Sequence, residues 1–334
     1  MAYISINKQN FYNNLEILTQ KTKSKDKLAI VLKDNAYGHG LEIMAKLSNE
    51  FGLSKTVVRT QNEASKIEHL FDYILVLADI PKSASKKIRY TINDISDIKK
   101  FPPLSKVELK IDTGMHRNGI MFKEIDKALS LIKKQNLQLE AVFTHHRSAD
   151  ELTSEWFWQN ENFKKVKEFF KDYKQPLRFH SANSASLLRT KNFDEDMARV
   201  GIAAYGCIDL PKEIYDTNDL KPVLSVYAKK ISTKKLKKGF RIGYGGSCAL
   251  KDDLIISNYD FGYGDGFLRC LSNNFITKNN EKLIGRISMD NSSFNTNKNE
   301  ILIFDNAIDI AKQANTISYE ILTSLKPHLK RVIV

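Results

Sequence analysis

Lys33 closes the apolar run Leu28-Ala29-Ile30-Val31-Leu32 and opens the segment Asp34-Asn35-Ala36-Tyr37-Gly38-His39-Gly40. A buried strand that carries an amine to its mouth makes the charged form costly and the free amine accessible, which is the setting of a Schiff-base nucleophile. On these residues alone, a lysine that merely snorkels at a strand end explains the run equally well. Other reactive types recur at the ends of similar runs. Lys110, Asp112 and Arg117 fall within Lys110 to Gly119; Thr144 and His145 follow a second run; His180, Asn183 and Ser184 a third; Arg199, Gly201 and Ile202 a fourth.

Together these groups describe a ligand. Ser184 precedes a helical stretch and is expected to cap it, leaving backbone N–H groups for an anion. Gly201-Ile202 would let backbone approach that anion, with cations around it and one amine facing it. An anionic cofactor bearing a carbonyl, held beside a lysine, is pyridoxal 5′-phosphate (PLP). No Gly-rich dinucleotide motif and no Walker A loop competes. His145 and His146 are adjacent, are expected to point apart on a strand, and do not suit a shared metal.

These residues need strand ends to stand on. Apolar runs recur at 28–33, 56–60, 73–78, 89–93, 106–112, 139–145, 177–182 and 198–205, with polar or helix-period segments between them. Repeated strand–helix units of this size predict an α/β fold with a (β/α)8 barrel of the TIM type, whose functional groups collect at the C-terminal strand ends. Phe163, Val166, Phe170 and Tyr173 predict a helix within 154–173, and Ile125, Leu129 and Ile132 one within 123–135. Segments 84–88 and 95–100 are too short for clear helices. Beyond Pro222 the runs 223–228, 254–256 and 301–304 read as strands between Gly-, Asn- and Lys-rich turns, and helix signal returns only at 307–325. The expected division is a barrel over 1–222, its first residues available to pair with the second domain, and a mainly β domain over 223–334.

The chain has 334 residues, 42% of them hydrophobic, which supplies a sizeable core. Lys plus Arg exceed Asp plus Glu by 52 − 39 = 13. The lysines are scattered in pairs such as Lys133-Lys134 and Lys229-Lys230, so a solvated basic surface is expected rather than a nucleic-acid site. Three separated cysteines give no disulfide framework. No signal-peptide pattern and no membrane-length apolar run is visible, and a cytoplasmic protein away from membranes is expected.

The motifs resemble those of the alanine racemase family, PLP enzymes of fold type III. The resemblance rests on Lys33 to Gly40, Asp112 to Arg117 (Asp-Thr-Gly-Met-x-Arg), Thr144-His145, Asn183-Ser184-Ala185, Arg199 to Gly206, Gly243-Tyr244-Gly245, Gly262 to Gly266 and Met289-Asp290, in that order. It implies that Lys33 holds the cofactor and is one base, and that Tyr244 of the partner subunit is the other, on the opposite face of the substrate. It further implies that Arg199 faces the pyridine nitrogen, that Tyr37, Ser184, Gly201 and Ile202 hold phosphate, and that His145 and Asn183 belong to the same cofactor shell. Arg117 and the partner subunit's Met289 would take the substrate carboxylate. Lys110, often carbamylated in the family, would orient Arg117, Tyr263 would gate the entrance, and Asp290 would support it. The implied protein is a homodimer with shared active sites that interconverts L- and D-alanine, D-alanine serving peptidoglycan.

The chain also departs from the family pattern. Asp34 replaces the usual Ala and is expected to face outward. His146-Arg147 replaces Phe-Ala. Ile333 stands where a closing Arg-Val-Tyr would end, so a phosphate-holding, entrance-narrowing tyrosine is expected to be missing. Alternatives are a racemase of broader amino-acid range, a barrel-type decarboxylase, which would need a Cys-Asp pair that the three cysteines do not present, a PLP carrier, and a basic nucleic-acid binder.

Overall fold

The computed structural model describes residues 1–334. The chain starts with strand β1 (Tyr3–Ile6) and helix α1 (Lys8–Thr22), then enters the barrel at β2 (Leu28–Val31). A short turn, α2 (Lys33–Tyr37), leads to α3 (Leu41–Phe51), β3 (Lys55–Val58) and α4 (Gln61–Ile67). After β4 (Tyr73–Val76), β5 (Ile88–Ile92) and β6 (Lys106–Lys110) come α5 (Ile125–Lys134), β7 (Gln138–Phe143) and α6 (Glu155–Phe169). The barrel ends with β8 (Arg178–His180), α7 (Ser184–Arg189) and β9 (Ala198–Val200).

These eight strands form one parallel sheet in the order β8-β7-β6-β5-β4-β3-β2-β9. The last strand lies beside the first, so the sheet curls into a nearly closed barrel. The seam between β8 and β9 is bridged by the Asp196 N–H to the Phe179 carbonyl (3.2 Å) and the Arg199 N–H to the Ala182 carbonyl (2.9 Å). β2 and β4 are buried along their whole length, as strands covered on both faces must be. Every expected strand is present. The two short segments behave as their length predicts: only a loop joins β4 to β5, and a 3-10 stretch, Ile95–Lys100, joins β5 to β6.

The second half is a twisted, mainly antiparallel sheet. Its spine is β10 (Leu224–Leu236), followed by β11 (Arg241–Ile242), β12 (Cys248–Ala249), β13 (Leu254–Tyr259), β14 (Ser292–Phe294) and β15 (Glu300–Phe304). Helices α8 (Ala307–Ala314) and α9 (Ser318–Ser324) and strand β16 (Lys330–Ile333) finish the chain. The helix signal at 307–325 therefore resolves into two helices, parted by Asn315 in the left-handed region at φ 53°. The sheet order is β14-β13-β10-β1-β16, with β15 also on β10. β1 thus lies in this sheet, antiparallel to β10 and parallel to β16. One apolar core runs from the barrel strands through Leu271 and Phe294 to Leu322, while Ile242, Leu250, Ile256 and Ile284 form a small separate cluster under the outer turns. No helix is long and apolar enough to cross a membrane.

Candidate active site

The C-terminal ends of the barrel strands surround a cavity of about 660 Å³, within the range of small-molecule sites. Lys33, Tyr37, Lys110, Arg117, His145 and Asn183 line it, joined by Ser184, Arg199, Gly201 and Ile202. Residues far apart in sequence converge because each follows its own strand. Arg59 and Arg147 also reach the cavity. The wall is strongly cationic and suits an anionic ligand.

The Lys33 turn is the least ordinary backbone in the molecule. Asp34, Asn35, Ala36 and Tyr37 all have φ between 51° and 56°, and Gly38 follows at 76°. A left-handed turn of non-glycine residues costs roughly 1–2 kcal/mol per residue. Local polar contacts offset that cost. The Asp34 N–H donates to Glu63 Oε1 (2.7 Å), the Leu41 N–H to Asn35 Oδ1 (2.9 Å), and the Gly40 N–H to the Asn35 carbonyl (2.9 Å). Lys33 and Tyr37 bracket the turn, and the Lys33 Nζ stands 6.0 Å from the centre of the Tyr37 ring. Asp34, expected to face outward, does not line the cavity, but strand alternation is not the reason. β2 ends at Val31, so strand alternation no longer applies, and the Asp34 carboxylate sits 3.8 Å from Lys33 Nζ and 3.4 Å from Arg59.

Tyr37, Ser184 and Gly201 meet at one corner. A Cβ on Gly201 would lie 2.6 Å from the Tyr37 hydroxyl, so only glycine lets the two approach. Ser184 Oγ accepts from the Gly201 N–H (3.0 Å) and the Ala203 N–H (3.4 Å). The cap of α7 is Asn183, whose side chain accepts from the Ser186 N–H (2.9 Å), and not Ser184 as expected. Asn183 has the extended backbone of a cap, which leaves the Ser184 hydroxyl free to turn towards Gly201. Burial pushes the Tyr37 phenol pKa far up, so it serves as a neutral donor.

Arg199 stands on the barrel floor. Its guanidinium donates to the carbonyls of Thr144 (2.7 Å), His180 (3.2 Å) and Ser181 (3.2 Å) and to His180 Nδ1 (2.5 Å). His180 Nδ1 must then accept, so its Nε2 carries the proton towards Glu108 Oε2 at 2.9 Å. Burial lowers the His180 pKa, and although burial alone would raise that of Glu108, His180 and Arg178 outweigh it and keep the acid ionised. Burial also brings Arg199 down to about 10, which leaves it cationic at neutral pH. Burial, then Arg199 and Lys110, hold His145 well below the usual histidine range. β7 ends at Phe143, so His145 and His146 lie on a loop and not on a strand; His146 turns away to Ser186 Oγ at 2.9 Å. No cluster of metal-binding side chains is present.

Arg117 rides on the loop after β6. Asp112 Oδ1 accepts from the N–H groups of Gly114 and His116, both at 3.0 Å, and Trp158 covers Gly114 so closely that a Cβ there would lie 2.2 Å from the indole. Burial first, then the charges of Arg117 and Arg199, bring the Lys110 ammonium down to about 8.

Four predicted residues stay outside this cavity. Tyr244 is 68% exposed on a turn of the outer lobe, Met289 is 55% exposed, and Tyr263 and Asp290 lie beside it. The turns of Tyr263 and Met289 are closely packed on each other: the Gly264 N–H donates to the Met289 carbonyl at 2.8 Å, and a Cβ on Gly262 would lie 2.2 Å from that same oxygen.

The missing-tyrosine expectation is also overturned. Ile333 pairs with Ile6 at the sheet edge and does not line the cavity. Tyr319, in the first turn of α9, does line it, its ring 5.9 Å from that of Tyr37. Sequence reasoning missed it because α9 folds back over the barrel mouth. The one local sign is an aromatic phenol in the first turn of a terminal helix.

The cradle can be tested against the expected cofactor. The Tyr37, Ser184 and Gly201 corner offers two hydroxyls and a close backbone approach to a phosphate, Lys33 offers an amine to a carbonyl, and Arg199 offers a buried cation to a ring. These donors fit PLP.

The family model described as "Alanine racemase, N-terminal domain" matches residues 6–209, and that described as "Alanine racemase, C-terminal domain" matches 223–333. The chain is 47% identical to an alanine racemase of a Nitratiruptor species, with 99% of each chain covered, and 40% identical to one of Campylobacter jejuni, with 100% of each covered. The crystal structure of alanine racemase from Bacillus anthracis with bound L-Ala-P superposes with a TM-score of 0.91 at 26% identity, covering 100% of this chain and 95% of that one. With both halves of the family matched along nearly the whole chain, this protein belongs to the alanine racemase family.

Proposed function

We propose that the protein is a PLP-dependent racemase that interconverts L- and D-alanine in a homodimer with shared active sites. The observation that carries the reading is the convergence of Lys33, the Tyr37–Ser184–Gly201 corner, Arg199 and Arg117 on one cationic cavity. When bound, the cofactor supplies an electron sink that acidifies the substrate's Cα–H bond. The chain supplies the rest. The Ser184 and Tyr37 hydroxyls hold phosphate, with the backbone of Gly201 and Ile202, Asn183 and the Tyr319 hydroxyl around them. Arg199, a permanent cation, keeps a nitrogen placed against it unprotonated. His145 presents a neutral imidazole.

Racemisation needs a proton removed from one face of a carbon and delivered to the other. Lys33 Nζ takes or gives it on one face. Tyr244 Oη of the partner subunit does so on the other, and its exposure in a single chain accords with a role in a neighbouring site. Arg117, with the backbone of the partner subunit's Met289, binds the substrate carboxylate, and Tyr263 and Asp290 shape the entrance. Lys110 at about 8 has enough free amine near neutral pH to take up carbon dioxide as a carbamate, which would reverse its charge and hold Arg117. The product D-alanine would serve peptidoglycan, and free thiols at Cys207, Cys248 and Cys270 accord with a cytoplasmic enzyme.

The test is a visible spectrum of the protein with PLP and an assay for D-alanine formed from L-alanine. The reading predicts a bound chromophore and turnover, both lost in Lys33→Ala. A colourless wild-type protein, or a Lys33→Ala variant that keeps colour and activity, would overturn it.

A further inference from the structure

The left-handed turn α2 is gripped from outside the cavity by two side chains to which no role in the reaction falls. Arg331, on β16 of the second half, donates Nε (3.0 Å) and a terminal nitrogen (2.7 Å) to the Gly38 carbonyl. Its other contacts are the carbonyls of Lys326 (3.3 Å), Pro327 (3.0 Å) and Leu329 (2.7 Å), and it forms no ion pair. The guanidinium therefore staples Gly38 to the 326–329 turn. That turn is tied within its own half to the turn at Asp265, since the Lys326 N–H donates to the Asp265 carbonyl (3.1 Å) and His328 Nε2 lies 2.8 Å from Asp265 Oδ1. His39 is fully buried. Its Nδ1 lies 2.9 Å from the Tyr37 carbonyl and 3.1 Å from that of Ala36, so Nδ1 carries the proton and Nε2 is left without a partner. Its ring stacks at 4.3 Å on Tyr205, whose hydroxyl donates to the Val31 carbonyl at the end of β2 (3.0 Å).

We propose that Arg331 and His39 are positioning residues for Lys33 and Tyr37: they hold the left-handed turn between these two side chains, and through Arg331 the last strand of the second half sets where the lysine amine stands. The inference rests on the reading of Lys33 as the cofactor-bearing lysine. Lys33 and Tyr37 are the two ends of a backbone that L-residues resist. Three of its carbonyls, at Ala36, Tyr37 and Gly38, are the atoms that Arg331 and His39 seize, and none of them faces another backbone donor from the second half. Freed of those bonds, the turn can relax towards ordinary dihedrals, which would swing the amine and the phenol apart.

The experiment uses the full chain with Arg331→Gln, Arg331→Lys and His39→Phe, the last keeping the stack on Tyr205 while removing the N–H. Amide hydrogen exchange is followed by mass spectrometry, and PLP affinity by visible absorbance. In Arg331→Gln and His39→Phe, exchange in peptides spanning 34–40 should rise at least tenfold over peptides of β4 and β6, and the apparent Kd for PLP should rise at least tenfold. Arg331→Lys keeps a cation without the fork and should recover part of both losses, and it supplies the readout if the Gln variant does not fold. A merely structural role would lower the melting temperature and raise exchange everywhere, with PLP affinity unchanged in the folded protein. Folded variants whose 34–40 exchange and PLP affinity stay within twofold of wild type overturn the proposal. If wild type takes up no PLP at Lys33, the functional reading falls, and the exchange result still decides whether Arg331 and His39 hold the turn.

Discussion

Two short turns carry the two bases of the proposed reaction, and they are built in opposite ways. The Lys33 turn is half-buried against α3 and α9, and Glu63, His39 and Arg331 each bind its backbone. The Tyr244 turn also uses positive φ, at Gly243, Gly245 and Gly246, but it takes that freedom from glycine and stands in solvent. One turn is complete within a single chain. The other presents a phenol 68% exposed above a groove of about 820 Å³ shared with Arg241 and Arg286. On the proposed reading, one chain would build the whole cofactor half of the site and lend only its second base to a neighbour.

The strongest way to break this comparison is at the bases themselves. Lys33→Ala should lower kcat by at least about a thousandfold and abolish the visible chromophore. Tyr244→Phe should lower kcat by about a hundredfold to ten-thousandfold, yet leave PLP affinity within twofold. A spectrum and a steady-state assay of each variant check the pair; loss of cofactor in Tyr244→Phe would contradict the division of labour.

The glycines sharpen the contrast next. A Cβ on Gly38 would lie 2.0 Å from the Leu322 carbonyl oxygen at φ 76°, whereas one on Gly239 would meet nothing within 4 Å at φ 87°. Gly38→Ala should cost about 3 kcal/mol or more, and Gly239→Ala about 1 kcal/mol. Urea denaturation measures both, and equal losses would show that the grip on the Lys33 turn is weaker than its geometry implies.

A further effect, confined to acid, comes from two buried histidines. Burial lowers His39 and His146 from an ordinary 6.5 to about 4, so both are neutral when folded. The unfolded chain binds more protons than the folded one between those values. Stability is therefore full above pH 6.5 and falls as pH drops towards 4, by up to about 1.4 kcal/mol per pH unit for each group. His39→Phe should flatten that acid limb in a melting series and leave the curve above pH 7 parallel to wild type.

The strands are legible in the sequence because buried parallel strands are plain apolar runs, as at 28–31 and 73–76. The cavity residues are legible because each sits just past such a run, and the ordered motifs point to the family. What escapes depends on chain reversal or on backbone handedness. Asp34 stays out of the cavity, but not through strand alternation, since the strand has already ended two residues before Lys33. Serine caps well, which points to Ser184, but the extended residue is Asn183. Tyr319 escapes, and Ile333 draws attention in its place, because nothing local shows which part of the last thirty residues folds back over the barrel. The four left-handed residues carry no local signature either; Asp34, Asn35, Ala36 and Tyr37 are held there by side chains as distant as Arg331.

The central claim is that each active site is shared between two chains, and one mixing experiment tests it directly. Lys33→Ala and Tyr244→Phe, each inactive alone, are combined in equal amounts under conditions that let dimers exchange. If Lys33 of one chain works with Tyr244 of the other, half the dimers become mixed and one of the two sites in each is intact, so activity should recover to roughly a quarter of wild type. If both bases belong to the same chain, every site in the mixture lacks one of them, and no activity will return.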